Sequence, residues 1–193
     1  MKNFGGLNAV FVDRDGVINE EKGYVHQKKD FHFLPGSIEG LKLLTDAKYK
    51  LVIITNQAGI ARGYYKEEAM HDLHAYMLDS LKTNGVRIDG VYFCPHHPEG
   101  AIDYLSKLCD CRKPAPGMLL KACRELCINP ALSAMVGDKA SDIEAAKGAH
   151  VQMTILVESG HHLSAASKAE ADFVTSNLKA AAELIISMEN RSI

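Results

Sequence analysis

The sequence contains no tryptophan, only 6 prolines among 193 residues, and no long apolar run. Without an apolar stretch of about 18 residues, a membrane-spanning helix is excluded. The opening segment Met1–Asn8 lacks the continuous apolar core of a secretory signal, so a cytoplasmic protein is expected. An excess of one charge is also missing. With 22 Lys and Arg against 24 Asp and Glu, the net charge is −2 and the pI near 6.5. Nucleic acid and anionic membranes, which attract strongly basic chains, are not expected partners. No internal repeat, low-complexity tract or Pro/Gly/Ser-rich linker divides the chain. Residues 1–193 are therefore expected to form one domain with its own buried core. No apolar stripe marks a subunit interface, which makes a monomer the expectation. Cysteine is sparse and odd in number, at 5. With no secretion signal, that count argues against a disulfide framework and directs attention to metal.

What the sequence does have is regular alternation of short apolar runs and helical patterns. Strands are predicted at Ala9–Val12, Leu51–Thr55, Val91–Phe93, Ala134–Val136 and Val151–Val157, with a short last one at Phe173–Val174. Helices are predicted at Ser37–Ala47 with Ser37 as N-cap, Lys66–Lys82 closed by Asn84-Gly85, and Gly117–Leu126 with Pro116 in the first turn. Two more follow, at Ser141–Lys147 with Gly148 as its stop and at Leu178–Met188. Gly59 and Gly63 bracket Arg62 in what reads as a flexible loop. Such alternation implies an α/β three-layer sandwich, a Rossmann-like parallel sheet with helices on both faces. Ligands in these folds sit at the carboxyl ends of the strands. Asp13, Thr55-Asn56, Cys94 and Gly137-Asp138 should then share one sheet edge.

Four short segments on that edge carry chemistry. Asp13-Arg14-Asp15-Gly16 ends the first strand, and its two carboxylates can flank a magnesium ion, one attacking phosphorus while the other handles protons. Thr55 and Asn56 offer a hydroxyl and an amide to phosphate oxygens. Arg112-Lys113-Pro114 supplies a cation able to stabilise a transferring phosphoryl group. Gly137-Asp138-Lys139, with Asp142, adds a carboxylate for a hard cation. Each segment alone reads equally well as an ordinary turn, surface charge or helix cap. Together, and in this order, they read as phosphoryl-transfer machinery.

A different cluster follows the third strand. Cys94-Pro95-His96 and Cys109-Asp110-Cys111 give C-x-H, twelve residues, then C-x-C. Three thiolates and an imidazole form the closed shell typical of structural zinc, and a long loop poor in apolar residues has little else to hold it. His97, next to His96, is the weaker candidate ligand. The zinc loop, about residues 94–113, would orient Lys113. Cys123 and Cys127, four apart on a predicted helix, read as core-facing thiols. His71 and His74 read as helix-surface residues, and His161-His162 as solvated loop residues near the site edge.

DRDG, TN, the lysine of RKP and GDKASD occupy the positions of the four motifs of the haloacid dehalogenase (HAD) superfamily, which the chain resembles from Ala9 to about Val157. The resemblance implies a HAD-like fold without a large cap domain, the zinc loop standing in the cap's place. It implies Asp13 as nucleophile, Asp15 as general acid and base, and Thr55, Asn56 and Lys113 holding phosphate oxygens. Magnesium would be held by Asp13, Asp138 and the backbone carbonyl of Asp15. CPHHP, CDCRKPAPGML, GYVH and TNQAGIARG further resemble the heptose bisphosphate phosphatases of that superfamily, with histidinol-phosphate phosphatases as the alternative and a non-catalytic zinc module a distant third. By that resemblance Glu21, Lys22, Gly23, Tyr24, Gln57, Ala58, Arg112 and Lys139 line a sugar and its distal phosphate, with Arg62 closing over them. The implied substrate is a small sugar phosphate, and neither the anomer nor the pathway it feeds is legible.

Overall fold

The computed structural model describes residues 8–161 and 164–190, with side chains through residue 188. His162 and the expectation attached to it lie outside the described residues. The chain runs β1 (Ala9–Val12), α1 (Ser37–Asp46), β2 (Lys50–Asn56), α2 (Ala58–Ala61), α3 (Glu67–Thr83) and β3 (Gly90–Cys94). It continues through α4 (Gly117–Glu125), β4 (Ser133–Gly137), α5 (Ala140–Gly148), β5 (Met153–Val157), α6 (Ala165–Glu170), β6 (Phe173–Thr175) and α7 (Leu178–Asn190). All six strands pair in parallel, in the order β3-β2-β1-β4-β5-β6.

Parallel strands covered on both faces need apolar side chains at successive positions, and β1, β2, β4 and β5 are buried almost throughout. The alternation of side chains sends the two sets to opposite cores. Val10, Val12, Leu51, Ile53 and Val136 pack with Leu41 and Leu44 of α1, Leu73 and Met77 of α3, and Ala181 and Ile185 of α7. Ala9, Phe11, Val52, Ile54 and Met135 pack with Met118 and Leu119 of α4 and Ala145 and Ala146 of α5. The expected three-layer sandwich is thus present. The strand order reverses between β1 and β4, so a crevice opens where their carboxyl ends diverge. No helix among the described residues is long and apolar enough to cross a membrane.

Several local expectations need correcting. Gly36, with φ of 81°, occupies the N-cap of α1, and Ser37 is its first helical residue, buried inside the turn. Helix α5 runs through Gly148, and the left-handed residue beyond it is His150 at φ of 59°. The glycine-bracketed loop is one turn of helix, α2, packed around buried Ile60 and Ala61. Strand β5 starts at Met153, later than expected, while α6 and three short 3₁₀ turns carried too weak a period to be read. Cys123 does pack against the α4 core, but α4 ends at Glu125 and leaves Cys127 exposed at φ of 51°. His71 is exposed as expected, whereas His74 is buried.

Candidate active site

The carboxyl ends of β1, β2 and β4 bring the predicted residues into one crevice. Asp13 follows β1, and its Oδ1 lies 2.8 Å from Lys113 Nζ. The same ammonium lies 2.6 Å from Asp142 Oδ1 and donates to the Ile54 carbonyl at 2.9 Å. Lys113 is 4% exposed, so it cannot exchange these partners for water. Burial alone would discharge it, but the two carboxylates hold its pKa above the ordinary lysine value. Asn56 fixes the lysine's backbone: its amide donates to the Lys113 carbonyl and accepts the Lys113 N–H, both at 3.1 Å. Thr55 Oγ1 accepts from Gln57 Nε2 at 2.8 Å, and Gln57 accepts from the Tyr65 hydroxyl at 2.7 Å.

Asp13, Asp138 and Asp142 form a buried acidic group whose ligand atoms lie within 4.8 Å of one another. Burial pushes Asp13 up to about 8, against the pull of Lys113 and with help from Asp142 and Asp138. Asp138 is raised as well, by burial and by Asp142. Three carboxylates crowd together while Lys113 pairs with only Asp13 and Asp142, and Asp138 Oδ1 is buried without a hydrogen-bond partner. These features fit a divalent cation, and the all-oxygen donor set fits a hard one. Asp142 is already engaged: its Oδ2 accepts the N–H groups of Asp138 and Lys139 at 3.1 and 3.0 Å, closing the start of α5. Asp138 Oδ1 is left for an ion, with Asp13 beside it in the same acidic group. Loop backbone closes tightly around them, since a Cβ at Gly16 or Gly160 would overlap the Asp138 carboxylate.

The Asp15 side chain stands apart from this group. Burial would raise it, but the Arg14 guanidinium, with hydrogen bonds from Asn19 and Gln57, holds it below the usual carboxylate range. Arg14 donates to both Asp15 oxygens at 2.9 to 3.2 Å.

A niche of about 50 Å³ lies over Asp13, Thr55 and Lys113. Through shared walls at Asp15, Glu21, Asn56 and Lys139 it adjoins a cavity of about 570 Å³. That cavity is lined by Glu21, Gly23, Tyr24, Gln57, Ala58, Arg112 and Lys139, all predicted, with Arg14, Tyr65, His97, Ser141 and His161 in addition. Two predicted contacts are not on its wall. Lys22 pairs with Glu20 at 2.7 Å in solvent. Arg62 reaches His97, on that wall, at 3.2 Å and Glu99 at 3.8 Å. His161 is at the site edge, as expected, but it is bound as well as solvated: its Nδ1 lies 2.5 Å from Asp138 Oδ2.

Cys94, His96, Cys109 and Cys111 come together, with sulfur–sulfur separations of 3.0, 3.4 and 3.6 Å and His96 Nδ1 3.3 Å from Cys111 Sγ. A tetrahedral zinc with bonds of about 2.3 Å to sulfur needs edges slightly longer than these, so the donor set and spacing fit the ion. His97 belongs to the cavity wall. The loop then delivers Arg112, whose Nη1 donates to the His96 carbonyl at 3.4 Å, and Lys113.

A carboxylate-bearing loop after the first strand, a buried lysine and a second acidic loop after β4 define a HAD-like hydrolase, and the sequence profile described as HAD-hydrolase-like matches residues 110–181. The chain is 48% identical over 177 residues to the D-glycero-beta-D-manno-heptose-1,7-bisphosphate 7-phosphatase of Pasteurella multocida, covering 92% of this chain and 96% of the relative. To the enzyme of the same name in Escherichia coli K12 it is 44% identical, with coverages of 88% and 89%. The crystal structure of D,D-heptose 1,7-bisphosphate phosphatase from B. bronchiseptica, complexed with magnesium and phosphate, aligns with a TM-score of 0.80 at 30% identity, over 94% of this chain and 99% of that one. The chain belongs to the D-glycero-beta-D-manno-heptose-1,7-bisphosphate 7-phosphatase family.

Proposed function

We propose that this protein hydrolyses the 7-phosphate of D-glycero-β-D-manno-heptose 1,7-bisphosphate, leaving the 1-phosphate, through a phosphorylated Asp13. The observation that carries this reading is the pairing of Asp13 with buried Lys113 on the floor of a phosphate-sized niche that adjoins a larger cavity bearing Arg112 and Lys139. The names of the relatives supply the sugar and its β anomer.

In this reading the niche receives the 7-phosphate, with Thr55 and Lys113 at its oxygens and Asn56 holding the lysine's backbone in place, and the cavity receives the sugar and distal phosphate. Glu21, Gly23, Tyr24, Gln57 and Ala58 face the sugar, while Arg112 and Lys139 offer charge to the 1-phosphate. A carboxylate oxygen of Asp13 attacks phosphorus in line, and the bond from phosphorus to the C7 oxygen breaks. Asp15 gives that oxygen its proton. Arrival of a dianion offsets the Arg14 charge and raises the Asp15 pKa toward the range an acid needs. Asp15 then takes a proton from the water that displaces phosphate from Asp13. Magnesium, when held by Asp13 and Asp138, keeps Asp13 ionised and screens its approach to the phosphate. Zinc at Cys94, His96, Cys109 and Cys111 orders the loop that presents Arg112 and Lys113. The reading takes the protein as a cytoplasmic monomer, and as one domain because all six described strands lie in a common sheet.

Phosphate release with magnesium, compared across the β and α heptose 1,7-bisphosphates and histidinol phosphate, tests the reading. A large preference for the β anomer is expected, with the 1-phosphate retained in the product. Preference for histidinol phosphate, or equal weak turnover of all three, overturns the substrate assignment.

A further inference from the structure

Arg14 sits between the two carboxylates of the DRDG segment and is 0% exposed. A buried guanidinium needs acceptors around its whole rim, because every unmet N–H carries a desolvation cost. One edge is met by Asp15, and Nη2 also donates to the Val25 carbonyl at 2.9 Å, in the segment that lines the sugar cavity. The remaining edge meets His74, whose Nε2 lies 3.0 Å from Arg14 Nη1. His74 comes from α3, 60 residues away, and is 5% exposed.

The chemistry of this pair is one-sided. Guanidinium has donors only, so His74 Nε2 must offer a lone pair and carry its ring proton on Nδ1. Burial, and then the Arg14 charge, push the imidazole down to about 3, which keeps it neutral and able to accept. Helix α3 otherwise buries Met70, Leu73, Met77 and Leu81 at the spacing of one apolar face. His74 is the polar side chain on that face, and its ring nitrogen is spent on Arg14.

We propose that His74 is a positioning residue for phosphoryl transfer: it anchors the far edge of Arg14, so that the near edge holds the Asp15 carboxyl in the orientation that protonates the leaving sugar oxygen. The bonds to Asp15 and Val25 all come from Nε and Nη2. The contact with His74 is the one that holds Nη1 at the opposite end of the guanidinium. The role rests on the reading of Asp15 as acid and base given above.

A positioning defect at the acid is separable from a general packing defect by leaving group. A sugar alkoxide needs its proton early, whereas an aryl oxide leaves without one, and kcat/KM reports the steps through phosphoryl transfer. The test compares the parent, His74→Phe (ring volume without the acceptor) and His74→Gln (an amide oxygen in place of Nε2). Each is assayed with magnesium on the heptose bisphosphate and on p-nitrophenyl phosphate, and thermal melts verify folding. For His74→Phe, kcat/KM on the sugar ester is expected to fall roughly tenfold while the aryl ester changes less than about threefold, and His74→Gln is expected to recover most of the loss. His74→Leu replaces the phenylalanine variant if that one does not fold. Equal losses on both esters, parental rates in the apolar variant, or no recovery with glutamine overturn the role alone. A parent that hydrolyses neither ester overturns the phosphatase reading and this role with it.

Discussion

Asn56 and Lys113 hold each other through reciprocal hydrogen bonds, each 3.1 Å long, that tie the end of β2 to the exit of the zinc loop. The Asn56 amide, expected at the substrate, therefore spends both of its ends on the backbone of the lysine that faces Asp13. Asn56→Ala should release the lysine from its strand without removing its charge. Losing this partly buried pair of hydrogen bonds is expected to cost about 1–3 kcal/mol of stability and at least tenfold in kcat, with zinc content unchanged. Denaturant melts, metal analysis and steady-state kinetics check all three.

The candidate zinc group and Lys113 are joined through Arg112, the single residue between Cys111 and Lys113. Cys109→Ser should lose the ion, lower the melting temperature and reduce activity even in saturating magnesium. Metal content and melting temperature equal to those of the parent would remove the Cys₃His assignment.

Crowding around Asp138 gives a prediction specific to the magnesium site. A methyl at position 160 must displace the Asp138 carboxylate or the loop that carries Gly160. Gly160→Ala is expected to raise the magnesium concentration for half-maximal activity by about tenfold, a differential of roughly 1.4 kcal/mol. Titration of activity with magnesium reads this directly, and an unchanged midpoint would separate Asp138 from the metal.

His74 gives a pH dependence of defined sign. Its folded pKa, about 3, lies below the ordinary 6.5, so the unfolded chain binds the proton more readily. The stability that follows from its neutral form is complete above pH 6.5 and is lost as pH falls toward 3. Between pH 7 and 5 this one group should cost the parent about 2 kcal/mol. His74→Gln lacks that term, so its stability should decline less over the same interval, measured by urea unfolding at each pH. Parallel declines would show that the imidazole is not held neutral.

Much of the site could be read from strand ends. A parallel sheet projects the residues at and just beyond each strand's carboxyl end into the crevice, so Asp13, Thr55, Cys94 and Asp138 were placed by finding where the apolar runs stop. The C-x-H and C-x-C spacings identified the zinc group for a similar local reason. What escaped depended on long-range packing. His74 falls four residues after Met70 and three before Met77 on one helical face, a period that signals burial once a histidine is allowed on an apolar stripe. The partner that makes its burial tolerable, Arg14, is 60 residues away and has no local signature. Where Arg62 and Lys22 reach was not legible, because a long flexible cation near a site has several reachable partners, and the fold pairs them with Glu99 and Glu20. Ser37 lost its cap position to Gly36 because the chain enters α1 with positive φ, which serine resists.

The reaction as described requires one particular oxygen nucleophile. Asp13→Asn changes a single atom of that side chain, preserves its size, and removes one of the three buried carboxylates. Phosphate release from the heptose bisphosphate by parent and variant, measured with magnesium and beside their melting curves, is the direct comparison. A folded variant with turnover reduced by about 10³-fold or more is expected, since an amide cannot form the phosphorylated intermediate. A folded variant retaining substantial turnover would contradict Asp13 as the nucleophile.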